Sequence, residues 1–337
     1  MPDIPDILYR LAPDLLPCHR SIRFDGGGYE VPLSRFAPVD RDILERLYRA
    51  VQGLPLLRRA TRDTPDYLAL EGYIRRVGDG ALMADVHRLG EATRRDEPDY
   101  PAARKATHDI RGGGLCILLG TAEMLDIVPD KQVLIRKCVE AARDHAKIMR
   151  NLLPDIDPET RLVDEAAKAH GIDHFTTKWA GMTARGPNGP VRVAVHCDFI
   201  GAISARCLET SSIDRVVYNY VNNAVRFAAD EAVTVWVFPV GGGLTRWVVQ
   251  NAIAPDQVAF LADRAGPNLA HLFAGGVTRG GTGIGLANCA EIVADCYGLE
   301  SPAFAVQQGY LGAAVHDSSY YSWFHWPTFV LAENGHR

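Results

Sequence analysis

From Val39 onward the apolar positions fall into a helical rhythm. In DRDILERLYRAVQGL, Ile43, Leu44, Leu47, Val51 and Leu54 share one stripe, the 3.6-residue period of a helix with a single buried face. DYLALEGYIRRV and ALMADVHRLGEATRR continue as helices, with Arg58, Arg59, Arg75, Arg76, Arg94 and Arg95 dotting their outer faces. A longer helix begins within DEPDYPAARKATHDIR. Counting from Ile110, the residues Gly113, Gly114, Ile117, Leu118, Thr121, Met124 and Leu125 form its stripe. His108 stands two residues, ~200°, from Ile110 and is expected to project away from that seam. VPD at 128–130 makes a turn in which Asp130 can cap the next helix. KQVLIRKCVEAARDHAKIMRNLLP then carries Leu134, Cys138, Ala142, His145, Met149 and Leu152 at helical spacing, closed by Pro154. His145, on the apolar stripe, reads as a satisfied core histidine. The two helices form an antiparallel hairpin over 98–155. Such a hairpin cannot bury both faces alone, so a homodimer is expected, with residues 98–153 of two chains forming a four-helix bundle.

After Pro158 the texture changes. Strand-like runs at 191–198, 232–240 and 244–252 alternate with helix-like runs at 160–170, 198–208 and 211–229. GGVTRGGTGIGL precedes a further helix, ANCAEIVADCYG, and the chain continues into the β-rich LGAAVHDSSYYSWFHWPTFVL. The aromatic cluster there reads as a buried strand. This is an α+β layer of sheet and helices. Residues 1–39 are rich in proline and glycine, and RSIRFDGGGYEVPLSRF reads as two short strands around a glycine turn.

Composition narrows the class. Of 337 residues, 47% are hydrophobic and 23% charged, and the formal charge is −5. A folded core follows from the first two figures, and the third gives no basis for nucleic-acid binding. No apolar run approaches the ~18 residues of a membrane span, and the first residues lack the basic segment of a signal peptide. The seven cysteines are dispersed without a CxxC pair, which reads as reduced thiols in a cytoplasmic protein.

Three segments carry candidate chemistry: HDIRGGG (108–114) on the first hairpin helix, NYVNNAVRFA (219–228) and GGTGIGLA (280–287). A glycine loop leading into a helix lets backbone N–H groups approach phosphates. Asn223 offers a hard oxygen of the kind that ligates Mg²⁺. Arg226, three residues later, shares its helix face and can neutralise a phosphate. In this order, over residues 98–332, the chain resembles a bacterial sensor histidine kinase: a dimerisation and phosphoacceptor hairpin, then an ATP-binding domain of the type shared with gyrase, Hsp90 and MutL. The implied architecture is multidomain α and α+β. A mostly helical N-terminal input region (1–97) precedes the hairpin (98–155) of a dimeric four-helix bundle, and an α/β-sandwich ATP-binding domain (156–337) follows.

The resemblance implies roles. His108 is the phosphoacceptor and Asp109 its acidic partner, fixing the tautomer. Asn219, Asn223, Arg226, Asn251, Gly281, Thr282, Gly283, Gly285 and Leu286 bind ATP, with Asn223 as the Mg²⁺ ligand. The implied activity is autophosphorylation of His108 from Mg-ATP, then transfer to an aspartate on a response-regulator receiver domain. The segment Ala252–Arg279 is the lid, anchored by Phe273.

The chain departs from the family pattern in three places. The adenine-reading Asp of a DxGxG segment is replaced in VVQNAIAP by Gln250 or Asn251, whose amides can still donate and accept hydrogen bonds. Gly112 stands where a phosphatase-competent Asn or Thr is usual, which argues against phosphatase activity by that route. The usual helix-kinking Pro is also missing, with Gly113 and Gly114 near its place, so a locally soft helix is expected. Two other readings remain open. One is a phosphotransfer protein or nucleotide-binding scaffold of the same fold without autokinase activity. The other is an ATPase driven by nucleotide-dependent closure.

Overall fold

A computed structural model describes residues 4–17, 30–61, 64–78, 80–93, 100–266 and 269–328. The helices are α1 (Asp6–Arg10), α2 (Pro38–Ala60), α3 (Tyr67–Val77), α4 (Gly80–Arg88), α5 (Tyr100–Arg111), α6 (Gly113–Met124), α7 (Lys131–Leu152) and α8 (Pro158–Glu165). Strand β1 (Ala167–Gly171), helix α9 (Asp173–Trp179), strands β2 (Thr183–Gly186), β3 (Gly189–Cys197) and β4 (Ala202–Arg206), and helix α10 (Cys207–Arg226) follow. Then come β5 (Ala232–Val240), β6 (Leu244–Ala252), α11 (Pro255–Arg264), α12 (Gly285–Tyr297), α13 (Pro302–Gln307), β7 (Leu311–His316) and β8 (Ser319–Pro327). Most of the expected glycine hairpin at 20–36, and Arg94 and Arg95, lie outside the described residues. The described end of that hairpin forms a 3-10 turn, Leu33–Arg35, rather than a strand.

The stripe on α2 is buried as its period requires: Leu44, Leu47, Val51 and Leu54 have no exposed surface. Asp130 caps α7 by accepting a hydrogen bond from Val133 N at 3.1 Å. The hairpin is covered within its own chain. Helices α2 and α3 pack on α6 and α7, and α10 packs on them as well. Both sides of α7 are thereby enclosed, which is why Asp144, His145, Arg150 and Asn151 are buried along with its apolar stripe. A second chain is not needed to bury the seam, because α2 and α3 complete a four-helix bundle in cis.

The three glycines do not form a soft helix. They divide two helices. Gly112 takes φ −91° and ψ −138° between α5 and α6, and Gly113 has φ +54°, a region that only glycine enters cheaply. Gly114 serves close packing, since a Cβ there would sit 2.4 Å from the Ala141 carbonyl oxygen on α7. His145 beside it is fully buried but makes no well-formed hydrogen bond from either ring nitrogen.

The second layer is a six-stranded sheet ordered β2-β3-β5-β6-β8-β7, antiparallel except for the parallel pair β3–β5. A separate two-stranded ladder joins β1 to β4. The helix expected over 198–208 is therefore a strand at Ala202–Arg206, and the end of the helix expected over 160–170 is β1. Pairing with each other across the domain overrides the local pattern. The three strand-like runs became β3, β5 and β6, and YYSWFHWP lies within β8. Alternate residues of β5 face opposite ways: Val233, Val235 and Val237 join the main core, whereas Trp236 and Phe238 face a second apolar cluster with Leu8. Helix α1 thus covers the outer face of the sheet, although it precedes the bundle in sequence. Arg246 fixes it there. Its fully buried guanidinium donates to the carbonyls of Leu8 and Tyr9, both at 2.9 Å, and of Ala12 and Pro13 at 2.9 and 2.7 Å.

The layers are locked by a buried ion cluster. Lys178 on α9 donates to Asp144 of α7 at 2.8 Å and to Asp214 of α10. Burial alone would lower the Lys178 ammonium; the two carboxylates more than offset this and raise it. The spacing of the histidines gave no sign of the cluster, yet His174 lies against both acids.

Candidate active site

One cleft between the lid, α10 and α12 is lined by every residue expected to bind nucleotide: Asn219, Asn223, Arg226, Asn251, Gly281, Thr282, Gly283, Gly285 and Leu286. His108 lines the same cleft. Five separated pieces of chain converge: the end of α5, one face of α10, the end of β6, the glycine loop and the start of α12. On α10 the convergence follows from period. Arg215, Asn219 and Asn223 recur every four residues and share a face.

The imidazole of His108 meets the α/β layer at Gly285. A Cβ on Gly285 would lie 3.2 Å from His108 Cε1, 3.4 Å from Nε2 and 2.8 Å from Asn219 Oδ1. Only a hydrogen there leaves the histidine and the amide oxygen facing the N-terminus of α12, where unpaired N–H groups favour an anion. The side chain of His108 is 16% exposed, so it projects from the bundle into the cleft rather than into solvent.

Asp109 points the other way and is buried. Its Oδ1 lies 3.1 Å from His108 Nδ1 and accepts from Asn288 Nδ2 at 2.9 Å. Its Oδ2 accepts from Arg215 Nε at 2.7 Å and ion-pairs with Nη2 at 2.6 Å. Burial alone would raise the Asp109 carboxyl. The Arg215 guanidinium and the hydrogen bonds from His108 and Asn288 outweigh it and hold the group well below the ordinary carboxylate range. Arg215 and Asn288 were not singled out from the sequence. For Arg215 a signal existed, its four-residue spacing from Asn219; for Asn288 there was little, a polar residue one turn after Gly285.

The far end of the cleft, at the end of β6, holds a buried amide. Asn251, 2% exposed, donates to the Ala252 carbonyl at 2.9 Å, while its Oδ1 is buried without a hydrogen-bond partner. An orphaned acceptor in this place fits a ligand amino group. Gln250 is turned to the other sheet face, where it meets Trp236 and Tyr321. Arg226, expected to face a phosphate, instead donates to the carbonyls of Gly280 and Arg279 and pins the glycine loop to α10. The lid closes on itself through Gly276 N and the Gly283 carbonyl at 3.0 Å. Gly283 needs φ +68° there, and a Cβ would come within 3.1 Å of the Gly276 backbone. Phe273, the expected lid anchor, is 4% exposed. No carboxylate lines the cleft among the described residues, so a divalent ion would find its protein ligands in the amide oxygens of Asn219 and Asn223. Among the described residues no helix is long and apolar enough to cross a membrane.

No family model matches the chain, and no curated protein matches it. Solved structures do. Full-length ShkA, solved with AMPPNP, is 15% identical, with TM-score 0.34 over 69% of this chain and 45% of ShkA. The match thus spans less than half of ShkA. The mycobacterial sensor histidine kinase MprB is 14% identical, with TM-score 0.28 over 48% of this chain and 98% of MprB. The histidine kinase domain of the blue-light-activated kinase EL346 from Erythrobacter litoralis is 13% identical, with TM-score 0.31 over 62% of this chain and 93% of that domain. A helical hairpin bearing His108, followed by an α/β layer, is the architecture that the resemblance to sensor histidine kinases implies.

Proposed function

We propose that this protein is a histidine kinase that phosphorylates His108 from Mg-ATP within one chain, and that it works in the cytoplasm. The observation that carries the reading is the placement of His108 Nε2 against Gly285 and Asn219 in the cleft of its own chain. Phosphoryl transfer asks for positioning and charge neutralisation more than for covalent work by the protein. Nε2 attacks the γ-phosphorus as the bond to the β–γ bridging oxygen breaks and ADP leaves. The Nδ1 proton, held on Asp109, is shared with or lost to that carboxylate as the ring becomes cationic. The N-terminus of α12 faces the transferring group, and Asn251 Oδ1 accepts from the adenine amino group. Mg²⁺, held by the amide oxygens of Asn223 and Asn219, would neutralise the phosphates. We divide the chain into an N-terminal region (1–97), a phosphoacceptor hairpin (98–155) and a nucleotide-binding domain (156–337). The onward acceptor is an aspartate on a response-regulator receiver, and Gly112 supplies no amide or hydroxyl to orient a water for hydrolysis of the resulting aspartyl phosphate.

A second reading, a phosphotransfer protein without autokinase activity, is favoured by the absence of a carboxylate from the described cleft lining. One experiment separates the two. With γ-labelled ATP and Mg²⁺, acid-labile and base-stable label should appear on wild type and vanish in His108→Ala. Label acquired only from a phosphorylated receiver would replace the kinase reading with the phosphotransfer one.

A further inference from the structure

We propose that Arg215 and Asn288 are positioning residues that set the tautomer of His108, so that the nucleophile is prepared only while the nucleotide layer is docked on the bundle. This rests on the reading of His108 as the phosphoacceptor.

The four groups form one chain of contacts across the interface. Asp109 belongs to α5, whereas Arg215 and Asn288 belong to α10 and α12, 106 and 179 residues away. Arg215 places Nε and Nη2 on the same carboxylate oxygen. Asn288 and His108 Nδ1 share the other. The side chains of Arg215 and Asp109 are each 1% exposed, so water does not substitute for either partner. An ionised carboxylate only accepts hydrogen bonds. Its neighbour Nδ1 must therefore carry the proton, which leaves the lone pair on Nε2, the nitrogen beside Gly285.

Without Arg215 the balance reverses. Burial raises the carboxyl, and an unpaired buried acid takes a proton rather than keep its charge. A protonated Asp109 can donate to Nδ1, and the ring proton then moves to Nε2, where it blocks attack. Undocking the nucleotide layer removes Arg215 and Asn288 together and admits water to Asp109; the carboxylate then stays ionised, but it is solvated and no longer held against Nδ1, so the tautomer of His108 is not fixed. The histidine is thus reactive toward the cleft that holds it and poorly prepared away from it.

The test uses the full chain and two variants, Arg215→Met and Arg215→Lys. Nitrogen-15 spectra of the histidine ring report the tautomer without any catalysis, with His108→Gln to assign the signals. Wild type should show His108 protonated at Nδ1. Arg215→Met should shift it toward the Nε2–H form, and Arg215→Lys should largely restore it. In parallel, the acid limb of the labelling rate should move up by about one pH unit in Arg215→Met, a roughly tenfold loss on that limb, with binding of a fluorescent ATP analogue unchanged. An unchanged tautomer in a folded Arg215→Met protein overturns the proposal. So does an unshifted pH profile. If wild type takes no label from ATP but the tautomer responds as described, the kinase reading fails while the positioning role stands.

Discussion

The glycine series at 112–114 offers a graded test of how the reactive helix is built. Substituting alanine at Gly114 drives a Cβ to 2.4 Å from Ala141 O and 3.0 Å from His145 Cβ, where ordinary contact begins at 3.4 Å. The obstacle is backbone on α7, which has no rotamer to change. Helices α6 and α7 must part by about 1 Å, and overpacking of this kind costs ~1–3 kcal/mol. Alanine returns up to ~1 kcal/mol as the better helix former, leaving a net loss of ~1–2 kcal/mol. Gly113→Ala meets a different obstacle. Its φ of +54° costs an L-residue ~1–2 kcal/mol, and its Cβ lies 3.2 Å from His145 Nδ1. Gly112→Ala is the control. Its nearest neighbour is the His108 carbonyl at 3.4 Å, so the change stays under ~1 kcal/mol. Urea denaturation followed by helical circular dichroism is the suitable assay. All five tryptophans lie in the α/β layer and would report the wrong half of the molecule. A Gly114→Ala protein as stable as wild type, or less perturbed than Gly112→Ala, would refute the close-packing account.

Three further outcomes follow from the same contacts. Lys178→Met leaves Asp214 buried without its cation and Asp144 with only the half-exposed Arg143; a loss of ~3–5 kcal/mol is expected in urea midpoints, and a loss under ~1 kcal/mol would show the cluster to be unimportant. Burial holds His145 down to about 4, and burial with Arg246 holds His325 down to about 3, both from 6.5. Their neutral forms therefore contribute stability that is fully present above pH 6.5 and lost as pH falls toward 4, by ~1.4 kcal/mol per pH unit for each group. His145→Gln should flatten that acid slope, and an unchanged slope would exclude His145 from it. Asn251→Leu removes the orphaned acceptor and should weaken ATP binding about tenfold in calorimetric titration, with discrimination against GTP reduced; equal affinity would place adenine elsewhere.

Periodic, local features were legible in the sequence. The stripes of α2, α6 and α7, the Asp130 cap and strands β3, β5 and β6 all reflect signals within a few residues of one another, whereas the nine residues that line the cleft were picked out by the order of separated motifs along the chain. Two strands were misread as helix because β1 and β4 pair only with each other, across a separation that the local pattern does not record. The dimer expectation was argued from an unpartnered hairpin face, and α2 and α3 cover that face in the same chain, which leaves the pairing of two chains to other surfaces. That α2 shares a bundle with α7 is a long-range fact, as is the meeting of Asp109 with Arg215. Among the site residues, those on α10 were the most accessible, because Arg215, Asn219 and Asn223 repeat at one helical period. Asn288 was not, since its role exists only once α12 has met α5.

The placement of α1 has a kinetic consequence. Residues 4–17 are held on the sheet by Arg246, while residues from Val31 onward are held on the bundle, where Val31 N donates to the Leu152 carbonyl at 2.8 Å. The α/β layer is therefore joined to the bundle through residues 153–157 and, because α1 is pinned to the sheet, a second time by the chain that connects Pro17 to Glu30. Short tethers give effective concentrations near the millimolar range, far above those at which separate protein molecules meet in dilute solution. Intramolecular transfer should then outrun any exchange between chains. The fraction of His108 labelled per unit time should not change when the protein is diluted a hundredfold from about 10 μM, a range that lies about two to four decades below that local concentration. A rate that falls with dilution would show that the phosphoryl group passes between two chains instead.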